Sequence, residues 1–196
     1  MSKNVFLFTG TPCVGKTTIA TRLAEHLDAI YVNLTDLAKT NGLVLEEDKA
    51  RNTLIVDEKK MKTKLTKLIQ QTADKDTVII DGHYAAAVVP KKLVTKVFVL
   101  RRNPKELKVF MQKNEFPQAK MYENLSAEIL DVCLIEALKL QKGKVCEVDL
   151  SGKTVEFVEA EIITLINEGQ MCSVGIVDWL DMLEREGQTT EYLKDA

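Results

Sequence analysis

Cysteine, proline, arginine and long apolar runs are all scarce in this chain, and each scarcity excludes something. The four cysteines, Cys13, Cys133, Cys146 and Cys172, lie far apart with no C-x-x-C spacing. That speaks against a zinc site or a disulfide framework and for buried thiols. No apolar run approaches the roughly 18 residues of a membrane-spanning helix. Val5–Phe8 is too short for the core of a secretory signal and precedes no small-residue cleavage site. A cytoplasmic protein with no membrane partner is expected. Four prolines and nine glycines make no linker, repeat or low-complexity tract. The 196 residues therefore suit one domain over about 1–170, with a tail at 171–196. Lysine dominates the positive charge, and only Arg51, Arg101 and Arg102 fall in segments able to face a site.

The formal net charge of −2 is unevenly spread: residues 145–196 carry −9 and residues 1–144 carry +7. The basic part suits a polyanion such as nucleotide phosphates or RNA, and the acidic end a basic protein. Solvated surface charge would give the same figures.

Apolar runs alternate with helical periodicity along the chain. Val5–Thr9, Ile30–Asn33, Val78–Asp81, Val97–Leu100 and Val145–Val148 read as strands buried on both faces. Helices are expected from the end of the first loop to about Leu27, at Leu34–Lys39, around Met61, Leu65, Leu68 and Ile69, at Pro104–Lys113, at Met121–Gln141, and around Val155, Val158, Ile162 and Leu165. Residues 41–57 read as irregular and charged. The tail after Gly169 holds Trp179, Leu180 and Leu183, which suggest a short helix packed on the domain or on a partner. This order predicts an α/β fold with a five-stranded, mainly parallel sheet between two helical layers. Ligands in such sheets sit at the carboxyl ends of the strands.

Gly10-Thr11-Pro12-Cys13-Val14-Gly15-Lys16-Thr17 fits G-x-x-x-x-G-K-[ST], between a buried strand and an amphipathic helix. Glycines at Gly10 and Gly15 let the backbone curl so that the amides of Cys13, Val14 and Gly15 point inward at phosphate. The helix that follows aims its positive dipole end at the same point. Lys16 would reach the outer phosphates, Thr17 would ligate Mg2+ through its hydroxyl, and Thr18 would bond the inner phosphates. ATP is the expected substrate. Cys13, at a helix N-terminus, admits a lowered thiol pKa and redox sensitivity, or a role through its backbone amide alone. Thr77-Val78-Ile79-Ile80-Asp81 is an apolar strand ending in a carboxylate that would hold the magnesium, directly or through water. His83, two residues on, either positions a water or substrate near the γ-phosphate or is structural.

These segments recur in one order: Gly10-Thr11-Pro12-x-x-Gly15-Lys16-Thr17-Thr18, Asp36-Leu37-Ala38, Val78-Ile79-Ile80-Asp81-x-His83, Val97-Phe98-Val99-Leu100-Arg101 and Glu123-Asn124-x-x-x-Glu128-Ile129. Together, over about residues 3–166, they resemble the small adenylate-kinase-like proteins of archaea and eukaryotes that also act in assembling the small ribosomal subunit. The resemblance implies a three-layer α/β/α P-loop fold of the nucleoside monophosphate kinase type. It implies a monophosphate-binding segment at about 33–57, with Asp36, Lys39 and Arg51 as contacts, and a short lid at about 113–120 holding Lys113, Asn114 and Lys120. It implies phosphoryl transfer from ATP to a monophosphate, AMP favoured, and an ATPase activity in which Asp81 and His83 take part. A small-subunit ribosomal protein is the implied partner of a monomeric protein. The chain departs from the family pattern at Cys13, usually glycine, at Lys39 in place of arginine, and at Asn114-Glu115-Phe116 in place of the lid's Arg-Gly-Tyr. Asn114 cannot neutralise a transferred phosphoryl group; Lys113 or Lys120 would do so only as a point charge. Two further readings stand beside the kinase: an ATP-switched assembly factor, and a small-metabolite kinase of the same fold.

Overall fold

The computed structural model describes residues 3–48, 53–71, 75–167 and 172–194. In chain order the elements are β1 (Asn4–Thr9), α1 (Lys16–His26), β2 (Ile30–Asn33), α2 (Leu34–Thr40), β3 (Val44–Asp48), β4 (Thr53–Val56), α3 (Glu58–Gln71), β5 (Thr77–Asp81), α4 (Ala85–Val88), a 3-10 turn at Lys91–Leu93, β6 (Lys96–Arg101), α5 (Pro104–Lys113), α6 (Gln118–Ile129), α7 (Val132–Leu140), β7 (Val145–Asp149), α8 (Val155–Asn167), α9 (Trp179–Arg185) and α10 (Thr189–Tyr192).

Five strands form one sheet in the order β2-β5-β1-β6-β7, every neighbouring pair parallel. The apolar runs are buried on both faces because helices cover both. Residues of β1 alternate between the two cores, as the two-residue period of a strand requires. Val5 and Leu7 face α2, α3, α4 and α7, whereas Phe6 and Phe8 face α1 and α8. Phe8 stacks on Phe98 with ring centroids 5.2 Å apart. The chain leaves β1 toward β2 on one side and β6 toward β7 on the other. The crevice at the carboxyl ends of β1 and β6 is thus the switch point where such sheets bind ligands.

The described residues of the segment 41–57 are not irregular, since Val44–Asp48 and Thr53–Val56 are strands. Val44 pairs with Val56, and Glu46 with Ile55, across an antiparallel hairpin of β3 and β4, with a register irregularity between Val44 and Glu46. One side of the hairpin is wet, Leu45 being 63% exposed, so charged residues interrupt the apolar alternation that would betray a strand. The expected helix Met121–Gln141 is two helices. Asp131, between α6 and α7, takes a left-handed φ of 57°, and its carboxylate receives the Arg101 guanidinium. A local helical period is blind to that distant partner.

Among its described residues the tail carries two helices. Trp179, Leu183 and Tyr192 pack with Leu107, Met111, Met121, Leu125 and Ile129 into a third core. The expectation of four thiols also fails, since Cys146 on β7 is joined to Cys172 by a disulfide, with Cα atoms 4.6 Å apart. The pair is 26 residues apart in sequence and is brought together only because the tail returns along β7, where Glu147 N donates to Ser173 O.

Candidate active site

The phosphate-loop motif connects β1 to α1 at the switch point. Gly10 has φ 138°, and a Cβ there would lie 2.4 Å from the Leu100 carbonyl oxygen, so no other residue fits. Gly15, the N-cap of α1, has φ 114°. Cys13 also takes a left-handed φ, 65°, a conformation that strains an L-residue by about 1–2 kcal/mol. Burial pushes its thiol pKa up, outweighing the nearby Lys16 ammonium, which removes the physical basis for a reactive thiolate there. The Lys16 ammonium donates to the carbonyls of Gly10 at 2.8 Å and Thr11 at 2.9 Å. Its pKa is lowered by burial, with the Asp81 carboxylate opposing. Thr18 is exposed beside Gly15, at the opening of α1.

Asp81 is buried at the carboxyl end of β5. Three donors converge on its Oδ2: Thr17 Oγ1 at 2.7 Å, Tyr31 OH at 2.9 Å and Asn33 Nδ2 at 3.2 Å. Parallel pairing of β2 with β5 sets Asn33 opposite Asp81. The same Asn33 caps α2, its Oδ1 accepting from the amides of Thr35 and Asp36. One side chain therefore fixes both a helix start and the orientation of the carboxylate. Thr17 and Asp81 offer hard oxygen ligands on one centre, the chemistry that suits Mg2+. Among the described residues no group of three or more His, Cys, Asp and Glu would hold a metal by itself. That donor set fits an ion which shares its coordination with phosphate and water.

His83 lines an open cleft of about 540 Å³ with Thr11, Thr35, Leu54, Tyr84, Lys120 and Asn124. Desolvation, together with repulsion from Lys16 and Lys120, lowers its pKa to about 4, against the opposing Asp81 carboxylate. The ring is nonetheless exposed at the cleft's surface, where water screens charge. With its pKa lowered, the imidazole is neutral at physiological pH. Its backbone is held by Thr9 Oγ1, which donates to His83 O at 2.8 Å. Asn124 is buried against this cleft, and its Nδ2 has no hydrogen-bond partner. Lys120 is a lining cation, whereas Glu115, Glu123 and Glu136 are acidic lining residues.

On the other side of the loop a second hollow, of about 260 Å³, is lined by Gly15, Thr18, Arg102, Phe110, Lys153 and Val155, among others. Arg102 stacks 4.9 Å above the Phe110 ring, and its Nε donates to Val14 O at 3.1 Å. The stacked guanidinium makes a flat, cationic wall suited to an aromatic base.

The structure brings Gly10, Cys13, Val14, Gly15, Lys16, Thr17, Asp81 and His83 to one end of the sheet. Asp36 and Lys39 instead lie on the exposed face of α2, and Thr35 is the α2 residue lining the cleft. Arg51 lies outside the described residues. Lys113 ends α5 and is exposed, as is Asn114, which lines the cleft while its Nδ2 donates to Phe110 O. Lys120 pairs with Glu123 at 3.1 Å. Arg101 does not face the site at all. It is buried behind the loop, donating to Glu128 at 2.8 Å, to Glu147 at 2.5 Å and to Asp131. Sequence reasoning missed Tyr31 and Asn33. Its one available signal was their place at the end of a strand neighbouring that of Asp81.

A strand-loop-helix phosphate motif, a strand-end carboxylate facing it and an all-parallel five-stranded sheet together define a P-loop protein of the α/β kinase type. A family model described as an AAA domain matches residues 7–131. The chain is 40% identical over 181 residues to a Pyrococcus furiosus protein named "Putative adenylate kinase", covering 92% of this chain and 93% of that one. A Methanocaldococcus jannaschii protein of the same name is 37% identical, covering 88% and 91%. The chain belongs to this adenylate-kinase-like family. Among solved structures, a gluconokinase from Sinorhizobium meliloti superposes with TM-score 0.54 at 12% identity, covering 86% of this chain and 95% of that one. An uncharacterized protein from Eubacterium ventriosum gives TM-score 0.55 at 13% identity, covering 85% and 99%. At such identities these two speak for the fold alone. No helix among the described residues is long and apolar enough to cross a membrane.

Proposed function

We propose that the protein transfers a phosphoryl group from magnesium ATP to a nucleoside monophosphate, AMP favoured, and hydrolyses ATP slowly when no acceptor is bound. The observation that carries this is the meeting of Thr17 and Asp81 at 2.7 Å, beside the Lys16 ammonium, with a hollow on either side of the loop. The triphosphate would lie along the amides of residues 13–18 and its base in the hollow walled by Arg102. Thr17 and Asp81 would hold Mg2+, which supplies charge neutralisation at the transferred phosphate. The acceptor would occupy the cleft beside His83, with Asn124 Nδ2 as a donor toward it. Neutral His83 would accept a hydrogen bond from an attacking water or orient the acceptor phosphate. Catalysis would come from positioning and charge stabilisation.

The test is ADP formation and phosphate release from magnesium ATP, with and without each nucleoside monophosphate, in the native protein and in Lys16→Ala. AMP-dependent ADP formation that disappears in the variant is expected. Phosphate release indifferent to every monophosphate would sink the kinase reading.

A second reading is an ATP-switched factor in small-subunit ribosome assembly with weak kinase activity. The observation favouring it is the acceptor cleft, whose lining holds Lys120, paired with Glu123, together with Glu115 and Glu136, and where Asn114 supplies no charge. A weak phosphoryl-transfer site still serves as a switch if ATP and ADP states differ in partner affinity. Recovery of a small-subunit ribosomal protein in ATP but not in ADP would favour this reading.

A further inference from the structure

We propose that helix α9 of the tail sets nucleotide affinity from behind the phosphate loop, through Trp179 and the positioning residue Glu128. This rests on the reading that the loop binds nucleotide. Glu128 is 2% exposed and its carboxylate is fully engaged. Oε2 accepts from Thr11 Oγ1 at 2.6 Å. Oε1 accepts from Arg101 Nε at 2.8 Å, from the Arg102 backbone amide at 3.1 Å and from Trp179 Nε1 at 3.2 Å. Two of these donors belong to residues that line the hollows on either side of the loop, Thr11 the cleft and Arg102 the second hollow. One belongs to the tail. A single carboxylate therefore links α9 to both sides of the site.

Neighbouring contacts tie the tail down at the same place. Glu147, also buried, accepts from the amides of Gly175 at 2.5 Å and Ile176 at 3.0 Å through Oε2, and from Arg101 through Oε1. Three carboxylates, Glu128, Glu147 and Asp131, surround one guanidinium. The excess negative charge is balanced by N–H donors, three of which come from residues 175–179. Lifting the tail would strip those donors from two buried carboxylates, whose remaining partners are Thr11 and the Arg101–Arg102 segment. Buried acceptors do not stay unpaired. Glu128 would then draw harder on Thr11 and Arg102, shifting the groups that flank the phosphate loop. Thr11 is linked from the other side as well, because its carbonyl accepts from Lys16 Nζ at 2.9 Å, and a bound phosphate competes for that ammonium. Linkage is reciprocal, so nucleotide and tail docking favour each other.

Trp179 is the only tryptophan of the chain, so its emission reports this contact in the unmodified protein. Magnesium ADP is titrated into the native protein, Trp179→Phe and Glu128→Gln, with calorimetry and, where Trp179 is present, fluorescence. The expected result is a change in Trp179 emission with the same midpoint as the calorimetric Kd. Trp179→Phe, which keeps the apolar bulk and removes one N–H, is expected to weaken magnesium ADP about fivefold, the lower end of ordinary coupling. Glu128→Gln turns one of the two acceptor oxygens into a donor and removes the charge facing Arg101, so a loss at least as large as that of Trp179→Phe is expected. Calorimetric binding with flat Trp179 emission would overturn the coupling and leave nucleotide binding standing. So would native affinity in a Trp179→Phe protein whose Tm alone has dropped, which is the signature of a tail that merely covers the core. Absence of heat in the native protein would overturn the nucleotide reading first and the coupling with it.

Discussion

The two sides of the phosphate loop are built on opposite principles. In front, Lys16, Thr17 and Asp81 meet at the loop that has an open hollow on either side, His83 lines one of those hollows, and the Asn124 amide behind the cleft has a donor to spare. Behind it, Glu128, Glu147 and Arg101 are buried with their polar atoms paired to one another and to the tail. Groups that meet a ligand keep unused hydrogen-bonding capacity, whereas groups that hold the loop in place use theirs on the protein. The difference predicts that changes in front alter chemistry and spare the fold, and that changes behind cost mainly stability and reach the ligand only through the loop they hold.

The largest effect is expected in front. Lys16→Ala should lower phosphoryl transfer by about 10²- to 10³-fold, the scale of losing one preorganised charge at a transferring phosphate. Removal of an ammonium whose pKa burial already depresses should leave the urea midpoint unchanged or raise it. A large fall in the midpoint would break the comparison, since Lys16 would then be structural as well.

Arg101→Met tests the other side. It leaves Glu128 and Glu147 buried without their cation, and breaking such a pair from one side costs about 3–5 kcal/mol. Burial would lower the pKa of the guanidinium, but Glu128 and Asp131 outweigh it and hold the pKa above the ordinary value, so in the native protein the cation that pairs with these carboxylates stays charged. A drop in unfolding free energy of that size, measured in urea, is expected. Loss of activity without loss of stability would show that Arg101 belongs to the front after all.

The front was far more legible in the sequence than the back. The phosphate loop is a contiguous motif whose residues serve functions within eight positions of one another, and Asp81 ends a recognisable apolar run. The parallel sheet was legible for the same reason, because each of its strands announces itself locally. The back depends on meetings that no local pattern encodes. Thr11 and Glu128 are 117 residues apart, and Glu128 and Trp179 are 51 apart. The break at Asp131, the β3–β4 hairpin and the Cys146–Cys172 bond were hidden likewise, each set by a tertiary partner or by a wet face. Glu128 did appear in a family-like motif, but its task became visible only once four donors were seen to converge on it.

A smaller test sits between the two sides. Cys13 holds a left-handed backbone, φ 65°, where glycine would be unstrained. Cys13→Gly should relieve about 1 kcal/mol of conformational strain, partly offset by the greater entropy of the unfolded chain. A gain of about 0.5 kcal/mol or less in unfolding free energy is expected, with nucleotide affinity preserved because the loop amides keep their places. Affinity lost on this substitution would show that the thiol itself contacts the ligand.

The smallest effect concerns His83 and pH. Its pKa is about 4 in the folded protein and about 6.5 in an unfolded chain. Between these values the unfolded state binds more protons than the native state, so stability rises with pH across this window and is lost as pH falls from 6.5 toward 4. Above 6.5 the imidazole is neutral in both states and contributes no slope. His83→Gln should flatten the dependence of the urea midpoint on pH between about 6.5 and 5, where few carboxylates have begun to titrate. Because the ring is exposed at the cleft's surface, the flattening should be slight. An unchanged slope would mean that water in the cleft solvates the imidazole and screens Lys16 and Lys120 almost completely. His83 would then be free to protonate near its ordinary pKa, and a role as a neutral hydrogen-bond acceptor would be confined to the alkaline side of that value.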